Sequence, residues 1–204
     1  MVTTALFGRQ LLAVLDNRQL VRRLIAAQAE LRHQAFHDPL TGLANRALFT
    51  DRLRHGIALH ARDLRPLSVL YCDLDGFKAV NDELGHEAGD EVLRAAAERL
   101  RAATRDGDTV ARMGGDEFAL LLEDGGQAMD VAVRILAAFA RPTSVGRHTV
   151  ELGVSIGLAD LGPGATTVSP DVLLQRADAA MYRAKRSGKG RVVAWTEEFA
   201  AADA

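Results

Sequence analysis

The chain has 204 residues, 48% of them apolar, enough for one domain with a substantial core plus an appendage. A formal net charge of −2 gives no bulk attraction to nucleic acid or an anionic membrane, so a polyanion must be held by local arrangement, and a small phosphorylated ligand is favoured over DNA. The single cysteine, Cys72, excludes an internal disulfide and suits a reducing compartment, and its apolar neighbours place it in the core.

From Ala5 to Ala35 there is one glycine, Gly8, and no proline. Phe7, Val14, Val21 and Ala35 fall on one seven-residue repeat, with Leu24 and Leu31 on its companion positions, which predicts an amphipathic helix. Gln28 interrupts the first series, Gln10 and Asn17 occupy the second, and Leu11, Leu15, Leu20 and Ile25 widen the stripe. Two readings therefore stand: a parallel dimerising helix, or a helix packed on its own domain. Asp38-Pro39 and Thr41-Gly42 break the pattern and set a boundary near residue 37, because proline disfavours helical backbone in the residue before it. No apolar stretch approaches the ~20 residues of a membrane span, and the basic, polar-interrupted N-terminus does not read as a signal peptide. The expected location is the cytoplasm, with room for a sensor or membrane part upstream in a longer protein.

A helical pattern resumes from Asn45 to about Arg62, Leu67 to Cys72 reads as a buried strand, and about Gly89 to Ala103 as a helix. Asp106-Gly107-Asp108 makes the next turn. Thr109 to Met113 and Phe118 to Leu122 are short apolar strands joined by Gly114-Gly115-Asp116-Glu117 as a hairpin. A helix is expected from Ala128 to Ala140, a strand from Thr149 to Ala159, a helix from Pro170 to Lys185 and a last strand from Arg191 to Trp195. Alternating strands and helices with one hairpin indicate an α/β sandwich with a mixed central sheet flanked by helices.

Asp73 and Asp75 stand two apart at the end of the first long strand and share a face while the chain stays extended. Magnesium takes one or two carboxylates plus phosphate oxygens, so Asp73 with either Asp116 or Glu117 suffices for a site. Gly114 and Gly115 carry no Cβ, so backbone and a bulky phosphate can approach closely there, and Lys78 brings positive charge. Lys185, Arg186, Lys189 and Arg191 cluster after the last long helix, where they serve either a phosphate or simply the helix dipole. Asn81 and Asp90 flank a glycine-rich stretch, Gly85 to Gly89, read as a turn. An aspartate can accept from guanine N1–H and N2–H₂ while an asparagine serves the other edge, and the bland alternative for Asp90 is a helix N-cap.

These segments also resemble, in order, the signatures of the GGDEF-domain diguanylate cyclases, over residues 37 to about 193. They are Asp38-Pro-Leu-Thr-Gly-Leu-Ala-Asn-Arg46, Asp73-Leu-Asp-Gly-Phe-Lys78, Asn81 with Gly85-His-Glu-Ala-Gly-Asp90, Arg112-Met-Gly-Gly-Asp-Glu-Phe118, and Ala177-Asp-Ala-Ala-Met-Tyr-Arg-Ala-Lys185. The resemblance implies a fold like the palm of nucleotidyl cyclases and polymerases, carried on residues 38–198 between an N-terminal signalling helix, 1–37, and a short tail, 199–204. It implies condensation of two GTP into cyclic di-GMP and two pyrophosphates in a homodimer with no nucleic-acid partner. Asp73, the Leu74 carbonyl and Asp116 would hold two magnesium ions, with manganese as an alternative. Asp116 would assist deprotonation of the attacking 3′-hydroxyl, with Glu117 in support. Asn81 and Asp90 would read guanine, while Phe77, Lys78 and Lys185 would position the triphosphate. Lys189 stands where the family commonly has arginine, which keeps the charge and loses the bidentate fork. Arg105-Asp-Gly-Asp108 has the spacing of the family's product-inhibition site, to which Arg134 is a candidate second arginine. The alternative within the same fold is a receptor that binds GTP or cyclic di-GMP and signals through the helix.

Overall fold

The computed structural model describes residues 18–24, 28, 31, 34–123, 127–162 and 168–199. The chain divides into two compact units, Met1–His37 and Asp38–Ala204. In the first, residues 18–24 are helical, and Leu20, Val21, Leu24, Leu31 and Phe36 are exposed. The repeat positions Phe7 and Val14, with Gln10, Leu11, Leu15, Asn17 and Ile25, lie outside the described residues, as does the tail beyond Phe199.

The second unit runs β1 (Ala44–Asn45), α1 (Arg46–Asp63), β2 (Leu67–Asp75), α2 (Phe77–Leu84), α3 (His86–Ala102), β3 (Thr109–Gly114), β4 (Glu117–Glu123), α4 (Ala128–Phe139), β5 (Thr143–Val145), β6 (His148–Val150), β7 (Gly153–Leu161), α5 (Pro170–Arg186) and β8 (Val192–Ala194). Six strands form one sheet in the order β1-β3-β4-β2-β7-β8, and β5 and β6 form a separate two-stranded sheet. β1 with β3 and β7 with β8 are parallel, and the other pairs are antiparallel, so the sheet is mixed as the sequence predicts.

β2 sits at the centre and is buried from Leu67 to Leu74 because both of its faces are covered. Leu70, Cys72 and Leu74 point into one core with Phe77 of α2, Leu100 of α3 and Ile135 of α4. Leu67, Val69 and Tyr71 alternate onto the other face, against Phe49 and Leu53 of α1 and Leu173 and Met181 of α5. At Gly157 on β7 the sheet and α5 touch through backbone, since a Cβ there would lie 1.9 Å from the Ala177 carbonyl oxygen. Ser169 starts α5 by accepting from the Val172 N–H at 3.3 Å, ahead of Pro170, while Asn45 caps α1 through a 3.1 Å bond from Leu48 N–H.

Three expectations are corrected. The strand expected from Thr149 to Ala159 is two strands, because β6 turns back on β5 and β7 begins only at Gly153. The helix expected from Gly89 begins at His86, so the stretch from Gly85 to Gly89 is no turn but a junction at Gly85 followed by helix. Asp90 is therefore inside α3 rather than its N-cap, and the capping position belongs to Gly85, with φ of 87°.

Candidate active site

The acidic end of the site is built by strand register. β3 and β4 pair up to Gly114 opposite Glu117, leaving Gly115 and Asp116 as a two-residue turn. Gly114 has φ of 144° and Gly115 of 54°, conformations that favour glycine. Glu117 is the cross-strand partner of Asp73 on β2, and Leu74 N–H donates to the Asp116 carbonyl at 3.3 Å, so the hairpin tip is tied to the strand that carries Asp73. Asp73 is 6% exposed. Its burial pushes the carboxyl above the ordinary range, the charges of Asp116 and Glu117 push it further, and Lys185, 2.6 Å away at the end of α5, opposes them.

Two further contacts hold this hairpin, and neither is evident from the sequence. The Tyr71 hydroxyl, otherwise buried, donates to Glu117 at 3.0 Å, and burial first and Glu117 second raise its own pKa. Arg112 donates through Nε and Nη2 to the Gly115 carbonyl at 2.9 and 2.8 Å, and through Nη1 to both Asp38 oxygens at 3.2 Å. Thr41 donates to the same carboxylate from its N–H and hydroxyl, at 2.9 and 2.7 Å. Burial alone would raise the Asp38 pKa, but the Thr41 donors and Arg112 outweigh it and hold the group below the ordinary value. The turn that opens the domain is thereby wired to the residue before Asp116.

Asp75 does not join the acids. Its carboxylate accepts from the Ser155 hydroxyl at 2.8 and 3.0 Å and from Gly190 N–H at 3.0 Å. Beyond it, Gly76 with φ of 86° starts α2 with no side-chain cap, so the first N–H groups of that helix are open. Phe77 buries its ring in the core and Lys78 is exposed, which leaves the Phe77 main chain, rather than its side chain, at the helix start.

Asn81 on α2 and Asp90 on α3 are both half-buried. Asn81 packs over Gly89, the residue before Asp90, because Gly89 has no side chain: a Cβ there would lie 1.9 Å from Asn81 Oδ1. Lys189 lies in the loop after α5 with φ of 59°, between Gly188 and Gly190, and is exposed. Away from this end, Arg105 donates from its N–H and Nε to Asp108 at 3.2 and 3.4 Å and from its guanidinium to the Glu123 carbonyl. Arg134 on α4 reaches the same loop, donating to the Ala103 carbonyl at 3.1 and 2.7 Å.

Among the described residues no three His, Cys, Asp or Glu side chains converge as a closed metal cage. The crowding of negative charge around buried Asp73 gives a hard cation, one that keeps waters and phosphate oxygens, a reason to bind. Asp73, Asp116 and the Leu74 carbonyl are oxygen donors, the kind magnesium takes.

A mixed sheet flanked by helices, with carboxylates at a Gly-Gly hairpin and an uncapped helix start beside them, is a palm-like cyclase fold. The family described as "Diguanylate cyclase, GGDEF domain" matches residues 35–191, and the chain belongs to it. It is 44% identical over 187 residues to the bifunctional diguanylate cyclase/cyclic di-GMP phosphodiesterase MucR of Pseudomonas aeruginosa, covering 88% of this chain and 27% of MucR. To the diguanylate cyclase TpbB of the same organism it is 43% identical over 188 residues, covering 90% of this chain and 43% of TpbB. The chain thus spans less than half the length of these curated relatives. The solved GGDEF domain of TpbB superposes with a TM-score of 0.76 at 40% identity, over 80% of this chain and 96% of that one. The coiled coil and GGDEF domain of DgcB from Caulobacter crescentus, solved in complex with c-di-GMP, superposes with a TM-score of 0.79 at 31% identity, over 89% and 96%.

Proposed function

We propose that the chain is a diguanylate cyclase that condenses two GTP into cyclic di-GMP and two pyrophosphates, working as a homodimer with magnesium or manganese. The observation that carries this reading is the packing of Asn81 against Gly89, the residue before Asp90, in a domain whose other helix start and hairpin suit a triphosphate. Asp90 would accept from guanine N1–H and N2–H₂, and Asn81 would meet the remaining edge.

Each copy would hold one GTP, with the open N–H groups at the start of α2, Lys78, Lys185 and Lys189 on its phosphates. Asp73, Asp116 and the Leu74 carbonyl would hold the metal, two ions per site, which supplies charge neutralisation at the reacting phosphate. Each 3′-oxygen attacks the α-phosphorus of the facing copy's GTP. A new P–O bond forms, the bond to the bridging α–β oxygen breaks, and pyrophosphate departs. Asp116 would take the 3′-hydroxyl proton, with Glu117 in support, and facing the two sites supplies orientation. The N-terminal residues 1–37 would pair as a signalling helix on the catalytic domain, residues 38–198, with 199–204 as a tail. Arg105 and Asp108, with Arg134, would bind product and slow the enzyme, in the cytoplasm and without nucleic acid as a partner.

Nucleotide choice tests the reading. GTP is used and ATP is refused by a factor of roughly 10⁴, because adenine leaves the Asp90 carboxylate unpaired. Comparable turnover of GTP and ATP overturns it.

A further inference from the structure

Asp75 belongs to the acidic segment of β2, yet its contacts lead away from the other acids. Ser155, fully buried on β7, places its hydroxyl within donating reach of both Asp75 oxygens, and the second donor is the Gly190 main chain. The carboxylate lies across β7 in the space left by Gly153, its cross-strand partner, where a Cβ would come within 3.0 Å of Oδ2. The sheet supplies room for the carboxylate and one donor, Ser155, and the loop after α5 supplies the other, Gly190.

The loop it grips is strained. Gly188, Lys189 and Gly190 have φ of 112°, 59° and 57°, three left-handed residues in succession. The middle one is a lysine, whose Cβ makes that conformation unfavourable. Such a loop keeps one shape only where neighbours tie it down. Lys189 N–H donates to the Ala184 carbonyl at 3.1 Å and Ile156 N–H to the Arg191 carbonyl at 2.9 Å, which fixes the two ends. The Asp75–Gly190 bond fixes the middle, between the cationic residues Lys189 and Arg191.

We propose that Asp75 is a positioning residue which holds the basic loop 187–191 over the phosphate end of the site and takes no part in metal binding. The proposal rests on the nucleotide reading above and adds how Lys189 is aimed. Three variants test it: Asp75→Ala, Asp75→Asn, which keeps one acceptor oxygen in the same shape, and Ser155→Ala, which leaves the Gly190 bond in place. A lost bond to a charged acceptor is worth about tenfold or more. Asp75→Ala therefore raises the KM for GTP and weakens binding of magnesium pyrophosphate by about tenfold, with kcat and the magnesium requirement within about threefold of wild type. In the metal-free full chain, hydrogen exchange at the Gly190 amide accelerates by at least about tenfold in Asp75→Ala, whereas Asp75→Asn and Ser155→Ala stay closer to wild type.

A fall in kcat of ~10² or more with a raised magnesium requirement makes Asp75 a metal ligand and overturns the proposal. Unchanged exchange at Gly190 overturns it as well. Pyrophosphate binding and amide exchange do not depend on turnover. If the wild type makes no cyclic dinucleotide while both still respond to Asp75→Ala, the cyclase reading fails and the role of Asp75 in placing the loop stands.

Discussion

Lys185 donates across 2.6 Å to Asp73, joining the last turn of α5 to the end of β2. The lysine relieves only part of the cost of this carboxylate, whose pKa stays above its ordinary value of 3.8 chiefly because of burial. The folded chain therefore keeps this proton at pH values where the unfolded chain has lost it. That contribution to stability is fully present below 3.8 and is lost as pH rises through the raised folded value.

At neutral pH, without metal, ionised Asp73 thus lowers stability. Asp73→Asn, which removes that charge, should therefore raise the metal-free Tm at pH 7. The gain should shrink as pH falls, and turnover should vanish. Thermal melts from pH 3.5 to 7 check this, and an equal or lower Tm for the variant at pH 7 contradicts it.

Tyr71→Phe keeps the ring in its core position and removes only the hydroxyl that donates to Glu117. Glu117 then loses a bond worth ~1 kcal/mol, and kcat/KM should fall about fivefold with a higher magnesium requirement and little change in Tm. A magnesium titration of activity is the measurement. An unaltered requirement means that Tyr71 supports only the core.

Arg105 and Asp108 stand in the turn between α3 and β3, with Arg134 held on the same loop through Ala103. As a mere surface ion pair they would contribute little. As a product site they should make turnover slow as cyclic di-GMP accumulates. Arg105→Ala should leave the initial rate nearly unchanged and abolish the slowdown, which progress curves with added cyclic di-GMP record. Equal inhibition of variant and wild type, or of neither, removes this site as a feedback switch.

What the sequence made legible follows physical range. β2, the Gly114–Glu117 hairpin and α5 carry strong local signals: a two-sided apolar run, paired glycines with acids, and a Ser-Pro start before a long amphipathic stretch. The eight-residue α2 and the three-residue β5 and β6 are too short to show a period, so the sequence reading missed the first and merged β6 into β7. Asp90 looks like a cap in sequence because it stands just before Glu91-Val-Leu, but Gly85 at φ of 87° lets the helix begin earlier. The Asp38 partner of Arg112 and the partners of Tyr71 and Asp75 lie 74, 46 and 80 or more positions away in the chain, and no local pattern encodes such contacts.

The central claim concerns the reaction itself. The full chain is incubated with GTP and magnesium, alongside Asp116→Asn, and the products are identified by mass while pyrophosphate is counted. The account predicts cyclic di-GMP with two pyrophosphates per molecule formed by the wild type, and a rate lower by ~10² or more in the variant, which loses a charged group at the reacting phosphate without unfolding. Absence of cyclic di-GMP from the folded wild type, or turnover of Asp116→Asn within about threefold of it, contradicts the account.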